Sequence, residues 1–500
     1  MEPNTEASKL WRDIPLPIYQ KFYFFNVTNA MEIERVGAKP VLREMGPYTY
    51  RSKWKKFNVK YNDNGTVSYR ERKIYYFVRE MSAGNESDLI TSLNGPLAIT
   101  LSLLQKAPSA VRVIVTLALD AVTEGFFIKR TVNQLLFDGY PDLLTTFGPL
   151  MNPKIPNNNN GRFGWVYGKN GSDEGLFTVF TGKENMETLN LIDKFNGKSR
   201  LDHWRDKSPC NSLKDSTDAQ IFPPIKDKSK SLYLFHPEFC RRWKLNFDSE
   251  FQKNGMTVYR YKPDKNLFKN ADDYPPNSCF VSQLPVAPNP SLFTMTNNRN
   301  NFAKQKRIRF NSGVFDMSSC KYGAPVVMSF PHFLDADPIY TESLDGLKAD
   351  PSKHEFYLDR EPTTGISMGS AARLQFNVFI NKPSGAFRYR NIPEIVFPVF
   401  WQELGVNVSQ EMSERIKWVL EQPSLISSIS STSMLFIGVL FVLTSLLFPF
   451  YDNYIKSDNK SKESGTVVYT DKTKANSQVI YGQLTQFFVF EFHLIYCFVI

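Results

Sequence analysis

Gly365-Ile366-Ser367-Met368-Gly369 has the G-x-S-x-G spacing that can present a nucleophilic serine for acyl transfer. That chemistry needs a strand before the serine, a helix after it, and a histidine base further along the chain. Here the turn-forming "REPTT" precedes the motif and the strand-like "ARLQFNVFI" follows it. The only histidine after Ser367 is His493. The match is therefore read as accidental, and no enzyme activity is expected. His332, in "SFPHF", has no partner close by in sequence and reads as structural.

Cysteines are the next residues able to do chemistry. Cys210, Cys240, Cys279 and Cys320 lie in the body of the chain, with Cys497 near its end. The first four can pair in three ways or remain buried thiols, and spacing does not choose. No C-x-x-C occurs, which argues against a zinc or thioredoxin-type centre, and no metal or cofactor is expected. Asn-x-Ser/Thr sequons fall at Asn26, Asn64, Asn85, Asn170 and Asn407, with another at Asn459.

The sequons acquire meaning from the segment between them. From Met434 to Phe450 only Thr444 and Ser445 are polar, and no side chain is charged. With the weakly polar run from Leu425 this is enough helix to cross a hydrocarbon core, which takes about 20 residues. Lys456, Lys460, Lys462, Lys472 and Lys474 follow, so residues 451–500 are expected in the cytosol and the preceding chain outside or in a lumen. Asn459 then faces the cytosol and stays bare, whereas the other five sequons meet the glycosylation machinery. Ala107 to Ile128 is also apolar, but Arg112, Asp120 and Glu124 interrupt it, and it reads as a packed helix.

Composition supports a large folded ectodomain, with 42% hydrophobic and 14% aromatic residues. The net charge is +10, yet the basic residues are scattered in small groups such as Lys53-Trp54-Lys55-Lys56 and Lys304 to Arg309. No nucleic-acid motif accompanies them, and no nucleic-acid partner is expected. In "RLQFNVFI", Leu374, Phe376, Val378 and Ile380 alternate with Gln375 and Asn377, the period of a half-buried strand. Residues 66–78, 175–182 and 255–263 are also rich in β-branched and aromatic residues between turn formers. Between about 87 and 150 the pattern is helical, with Leu97–Leu101 and Val132–Leu136 spaced at i, i+4. A second helix is expected from Ser409 to Leu420, with Trp418 at a membrane interface. "NPKIPNNNNGRFG" and "YPPNSCFVSQLPVAPNPSLF" read as loops.

"PLPIYQKFYFFNVTN", "EMGPYTYR", "VFTGKEN", "NGKSRLDHW", "FCRRW", "CKYGAPVVMSFPHFLDADP", "LDREPTTGISM" and "AARLQFNV" occur in the order found in class B scavenger receptors. The chain resembles that family from about Trp11 to Phe450. The resemblance implies an α+β, mainly β fold: an antiparallel β-barrel ectodomain with a helical apex bundle near 87–150 and an apolar tunnel, plus a C-terminal transmembrane helix. An acyl chain or sterol in such a tunnel avoids water, at about 0.8 kcal/mol for each buried methylene. Residues 11–424 then form the ectodomain, 425–450 the membrane helix and 451–500 the tail.

By the same resemblance Cys210 pairs with Cys279 and Cys240 with Cys320, while a further family pair in the Pro-rich loop is missing. Lipoprotein and fatty-acid receptors of the family carry apex lysines just before an "RT". Here "DAVTEGFFIKRT" offers only Lys129 and Arg130, the candidate ligand contacts, behind Asp120 and Glu124. The implied function is a plasma-membrane scavenger receptor for lipids or lipoprotein particles, compatible with a homo-oligomer. The alternative is a lysosomal membrane protein that escorts a luminal enzyme. Tyr481 and Leu484 fit a tyrosine-based sorting signal, and the apolar segment from Gln486 to Ile500 has no counterpart in the family.

Family members have a second span before the "W-x-x-x-P-x-P-x-Y" segment, which here begins at Trp11. Residues 1–10 are polar and read as the remnant of a longer product with a transmembrane helix just upstream. Sequencing the 5′ end of the transcript is expected to reveal those hydrophobic codons. A transcript beginning at Met1 whose product still loses mass on glycosidase treatment contradicts this.

Overall fold

Alternating burial along the chain from Ile18 starts the main sheet. In β1 (Ile18–Val27), Ile18, Gln20, Phe22 and Phe24 point inward while Tyr19, Lys21 and Tyr23 are only half-buried. The computed structural model describes residues 2–146, 160–204, 208–280, 282, 284, 308–381 and 386–463. Tyr481, Leu484, the segment 486–500 and most of both predicted loops lie outside the described residues. The chain divides into two compact units, Met1–Arg415 and Ile416–Ile500.

A short helix, α1 (Glu6–Arg12), precedes β1, and α2 (Ala30–Val36) follows it. β2 (Leu42–Tyr61) and β3 (Thr66–Phe77) then complete a meander. β4 (Leu89–Leu93) and β5 (Phe127–Thr131) pair with each other and frame two helices, α3 (Gly95–Leu104) and α4 (Ser109–Val122). α5 (Val132–Leu135) leads to a minor pair, β6 (Tyr140–Pro141) with β7 (Arg162–Phe163). β8 (Asp173–Phe180) and β9 (Ile192–Phe195) return to the main sheet beside β3.

The second half supplies β10 (Ser216–Thr217), β11 (Leu232–Phe235), β12 (Arg242–Lys253) and β13 (Met256–Pro263). After it come β14 (Val314–Asp316), β15 (Val326–Ser329), α6 (Pro338–Glu342) and α7 (Pro351–His354). β16 (Tyr357–Arg360), β17 (Ser367–Phe379) and β18 (Val396–Asn407) finish the barrel. The last helix, α8, runs from Gln410 to Glu463. Strand order in the 14-stranded sheet is β10-β11-β12-β13-β16-β17-β18-β1-β2-β3-β8-β9, with β14 and β15 branching off β17. The barrel is nearly closed. Its sheet is mixed rather than purely antiparallel, because β10 and β11 run parallel over two residue pairs.

Two ends of a long sheet carry unpaired backbone and must be covered. Here the β9 end and the β10 end meet across side chains. Asp218, just past β10, accepts from the Tyr69 hydroxyl at 2.7 Å and from Asn190 Nδ2 at 2.7 Å. Lys56, fully buried, pairs with Glu71 at 2.9 Å, and Gln220 donates to both carboxylate oxygens of Glu71 at 2.9 Å. Trp11 and Tyr69 lie about the Lys56 ammonium at 5.1 and 5.2 Å. Val67, Phe177, Ile192, Leu213 and Phe235 fill the apolar part of this seam.

Several sequence expectations change in the folded chain. The strand "RLQFNVFI" is present within β17, but Gln375 and Asn377 are fully buried rather than solvated. Gln375 Nε2 donates to Asn377 Oδ1 at 2.8 Å, and Asn377 Nδ2 donates to the Val327 carbonyl at 3.0 Å. The helical stretch 87–150 is broken by strands on both sides of α3 and α4. The Ala107–Ile128 helix is shorter than read, and only Thr116 and Leu119 of α4 are buried. The helix expected to stop at Leu420 continues without a break as α8. Ser367 opens a strand and not a helix, so no nucleophile elbow forms. Gly365 instead has φ 69°, and a Cβ there would sit 1.9 Å from the Phe222 carbonyl oxygen, which explains that glycine.

Disulfides join Cys210 to Cys279 and Cys240 to Cys320, with Cα atoms 6.1 Å apart in each. They tie segments 69 and 80 residues apart around a core centred on Trp243. Replacing Cys240 with Ala is expected to cost about 4 kcal/mol in the chain-entropy account. Denaturant unfolding of the purified chain checks this, and an unchanged midpoint contradicts it.

Candidate functional site

The helical segment between β4 and β5 is positioned from its ends. Asn94 caps α3, accepting from the Leu97 amide at 3.3 Å while its own Nδ2 donates to the Gly125 carbonyl at 3.0 Å. Glu34 of α2 accepts from the amides of Phe126 and Phe127 at 2.9 and 3.0 Å, fixing the exit from α4. Arg388 donates to the Asp120 carbonyl at 2.7 Å, and Thr123 and Tyr389 share a 2.9 Å hydroxyl bond. α3 buries Leu97, Leu101 and Leu104 in the main core. α4 reaches that core only through Leu119 and the half-buried Val115, and exposes Val111, Ile114, Leu117 and Val122, with Ile114 at 67% and Leu117 at 57%. These residues share one face at spacings of three to five. Contiguous apolar exposure of this kind is a mark of a binding surface.

Lys129 and Arg130, the candidate ligand contacts, sit on β5 just beyond this helix and differ in availability. Arg130 Nη2 bonds Glu124 Oε1 at 2.5 Å, and its guanidinium rests 4.8 Å from the Tyr140 ring. The Arg130 hydrogen bond holds the Glu124 carboxyl below its ordinary range. Lys129 is exposed, opposite Thr91 on β4. Of the sequons, Asn64, Asn85, Asn170 and Asn407 are exposed, whereas Asn26 is half-buried and its Oδ1 accepts from the Thr91 amide at 2.8 Å.

A second cluster joins residues that no local pattern connects. His332 Nε2 bonds Glu44 Oε2 at 2.6 Å across 288 residues, and Trp401 Nε1 donates to the same oxygen at 2.7 Å. The His332 ring stacks on His354 at 4.3 Å, while Trp401 stacks on Tyr23 at 3.7 Å. One ligand atom from each of Glu44, His332 and His354 falls within 4.8 Å of the others, a spacing that fits a metal by distance alone. Tautomers argue against it. His332 Nδ1 accepts the Lys348 amide at 3.0 Å and His354 Nδ1 accepts the Asp350 amide at 2.9 Å. The neutral rings therefore carry their protons on Nε2, the nitrogen a metal would need.

Burial, reinforced by the neighbouring His332, pushes the His354 pKa down to about 4. Burial raises Glu44, but hydrogen bonds from His332 and Trp401 hold its carboxyl below the ordinary range. Sequence reasoning named His332 as structural and missed Glu44, His354 and Trp401. The elements that carry them are distant in sequence, and only the fold brings them together.

The fold is a nearly closed, disulfide-braced barrel followed by a helix long and apolar enough to cross a membrane, Ser427–Ser457. The CD36 family matches residues 1–448. Mouse scavenger receptor class B member 1 is 35% identical over 81% of this chain and 73% of its own length. Human lysosome membrane protein 2 is 33% identical over 88% of this chain and 85% of its own length, and the rat protein 32% over 88% and 86%. The chain belongs to the CD36 family.

A depressed histidine pKa sets a testable pH window. Unfolded His354 binds its proton near 6.5 and folded His354 near 4, so this stabilisation is complete above 6.5 and is lost as pH falls from there towards 4. His203, also lowered by burial, adds in the same direction. Melting temperature should fall between pH 7 and 5, and His354→Asn, which keeps an acceptor for the Asp350 amide, should flatten that fall. An identical pH profile for this variant contradicts the assignment.

Proposed function

We propose that this chain is a scavenger-type membrane receptor that binds lipids or lipoprotein particles and mediates their uptake or transfer. The observation that carries this reading is the exposed apolar face of α4, beside the exposed Lys129. An apolar particle surface covers Ile114 and Leu117, and the lysine favours ligands with anionic groups. Residues 11–424 form the extracellular side, 425–450 the membrane helix, and 451–500 the cytosolic tail. The apolar tunnel through the barrel belongs to this proposal, as the path a sterol or acyl chain follows to the bilayer. Glycans on Asn26, Asn64, Asn85, Asn170 and Asn407 belong to it as well.

Similarity to lysosome membrane protein 2 over 88% of the chain supports a second reading, a lysosomal membrane protein that escorts a luminal enzyme. Both readings use the same exposed helix, with a particle in one and a folded protein in the other. A second copy of the chain is a further occupant of that face and would give a homo-oligomer.

Cells expressing the full chain should take up a fluorescent sterol ester from lipoprotein particles. Ile114→Glu with Leu117→Glu should reduce particle binding at least tenfold, and Lys129→Glu severalfold, at equal surface expression. Unchanged binding in the double variant, or residence confined to lysosomal markers, overturns the surface-receptor reading.

A further inference from the structure

Arg241, in the "FCRRW" stretch, is 93% buried, at 7% exposure, and no carboxylate pairs with it among the described residues. Its guanidinium lies 3.6 Å from the Phe280 ring centre and 5.1 Å from that of Phe315. Nη1 donates to the Leu267 carbonyl at 3.0 Å, and Nη2 reaches Asn277 Oδ1 only at 3.4 Å. Nε is buried and has no acceptor. A buried charge normally has an ionic partner, because desolvating it unpaired is costly. The edge left underused, Nε with Nη2, is one through which arginine grips carboxylates and phosphates with two parallel bonds.

The surroundings make this more than an isolated defect. Arg241 lines a cavity of about 210 Å³ together with Arg242, Lys244, Tyr233, Tyr274 and Asp264. Asp264 is already engaged by Lys244 at 3.1 Å and by Asn246 at 3.1 Å. Arg242 also lacks an ion pair among the described residues, donating to the Lys214 carbonyl at 2.5 Å and lying 4.3 Å from the Tyr233 ring. The cavity therefore has two uncompensated cations. Both disulfides fix its walls: Cys240 adjoins Arg241 and Cys279 adjoins Phe280. Asn277 is held by its own bonds to the Asn266 and Lys269 carbonyls at 2.9 and 2.7 Å. Burial, with Arg242 alongside, pushes the Arg241 pKa down to about 9.

We infer that this cavity is an oxyanion site, in which Arg241 grips a phosphate or carboxylate group and Arg242 neutralises its remaining charge. The site is separate from the α4 surface and does not depend on the lipid-receptor reading. Its anion is either a free small ion or the head group of a lipid, since both present the same planar or tetrahedral oxygens to the arginine edge.

The test uses the full chain purified in detergent, with ionic strength held constant by chloride. Inorganic phosphate, acetate and dihexanoyl phosphatidate are titrated separately while the melting temperature is followed. At least one should give a saturable rise. A response to phosphate or acetate assigns a free ion, and a response to phosphatidate alone assigns a head group. Arg241→Lys keeps the charge but not the fork, and should weaken the response at least tenfold. Arg242→Gln should weaken it severalfold, and serves as the test if changes at Arg241 impair folding. No saturable rise with any of the three overturns the inference, as does an undiminished response in Arg242→Gln.

Discussion

Closing a long sheet on itself is the constraint on which this molecule depends. The β9 and β10 ends do not form a continuous ladder, so side chains take over the role of backbone bonds. Lys56, Glu71 and Gln220 form one buried polar group, and Tyr69, Asp218 and Asn190 form another. A buried ion pair gains little over apolar packing, but removing one member costs about 3–5 kcal/mol because the other is left unpaired. The seam therefore specifies closure more than it adds stability. Trp11 and the aromatic residues of β3 and β8 exclude water around it, which keeps these bonds strong.

A closed frame allows the exposed elements to be functional. α3 is committed to the core, whereas α4 is held at its C-terminal end and carries its apolar face outward. The Glu44–His332–His354 cluster lies in the same first unit and joins β2, α7 and the turn after β15. Two disulfides stiffen the region around Trp243, where the arginine cavity opens.

Local patterns made the regular elements legible. Strands at 66–77, 173–180 and 256–263 follow from β-branched and aromatic runs between turn formers, and the apolar run near Met434 to Phe450 gives a helix long and apolar enough to cross a membrane. The ordered motifs made the family legible from the residues alone. What stayed hidden depends on distant partners. Gln375 and Asn377 look solvent-facing, yet they are buried because Val327 and the His332 amide satisfy them. The parallel β10–β11 contact is only two residue pairs long, too short to leave a periodicity. Arg241 lies in the "FCRRW" stretch, but its burial between Phe280 and Phe315 depends on residues distant in sequence.

The central claim is that the first unit binds an apolar lipid on its way to the membrane. Photocrosslinking of the full chain with a diazirine-bearing sterol, followed by peptide mapping, tests it most directly. The account predicts saturable labelling, displaced by unlabelled sterol, on peptides of residues 11–415, including the α4 peptide. Labelling confined to the membrane helix, or labelling that excess sterol does not displace, would contradict it.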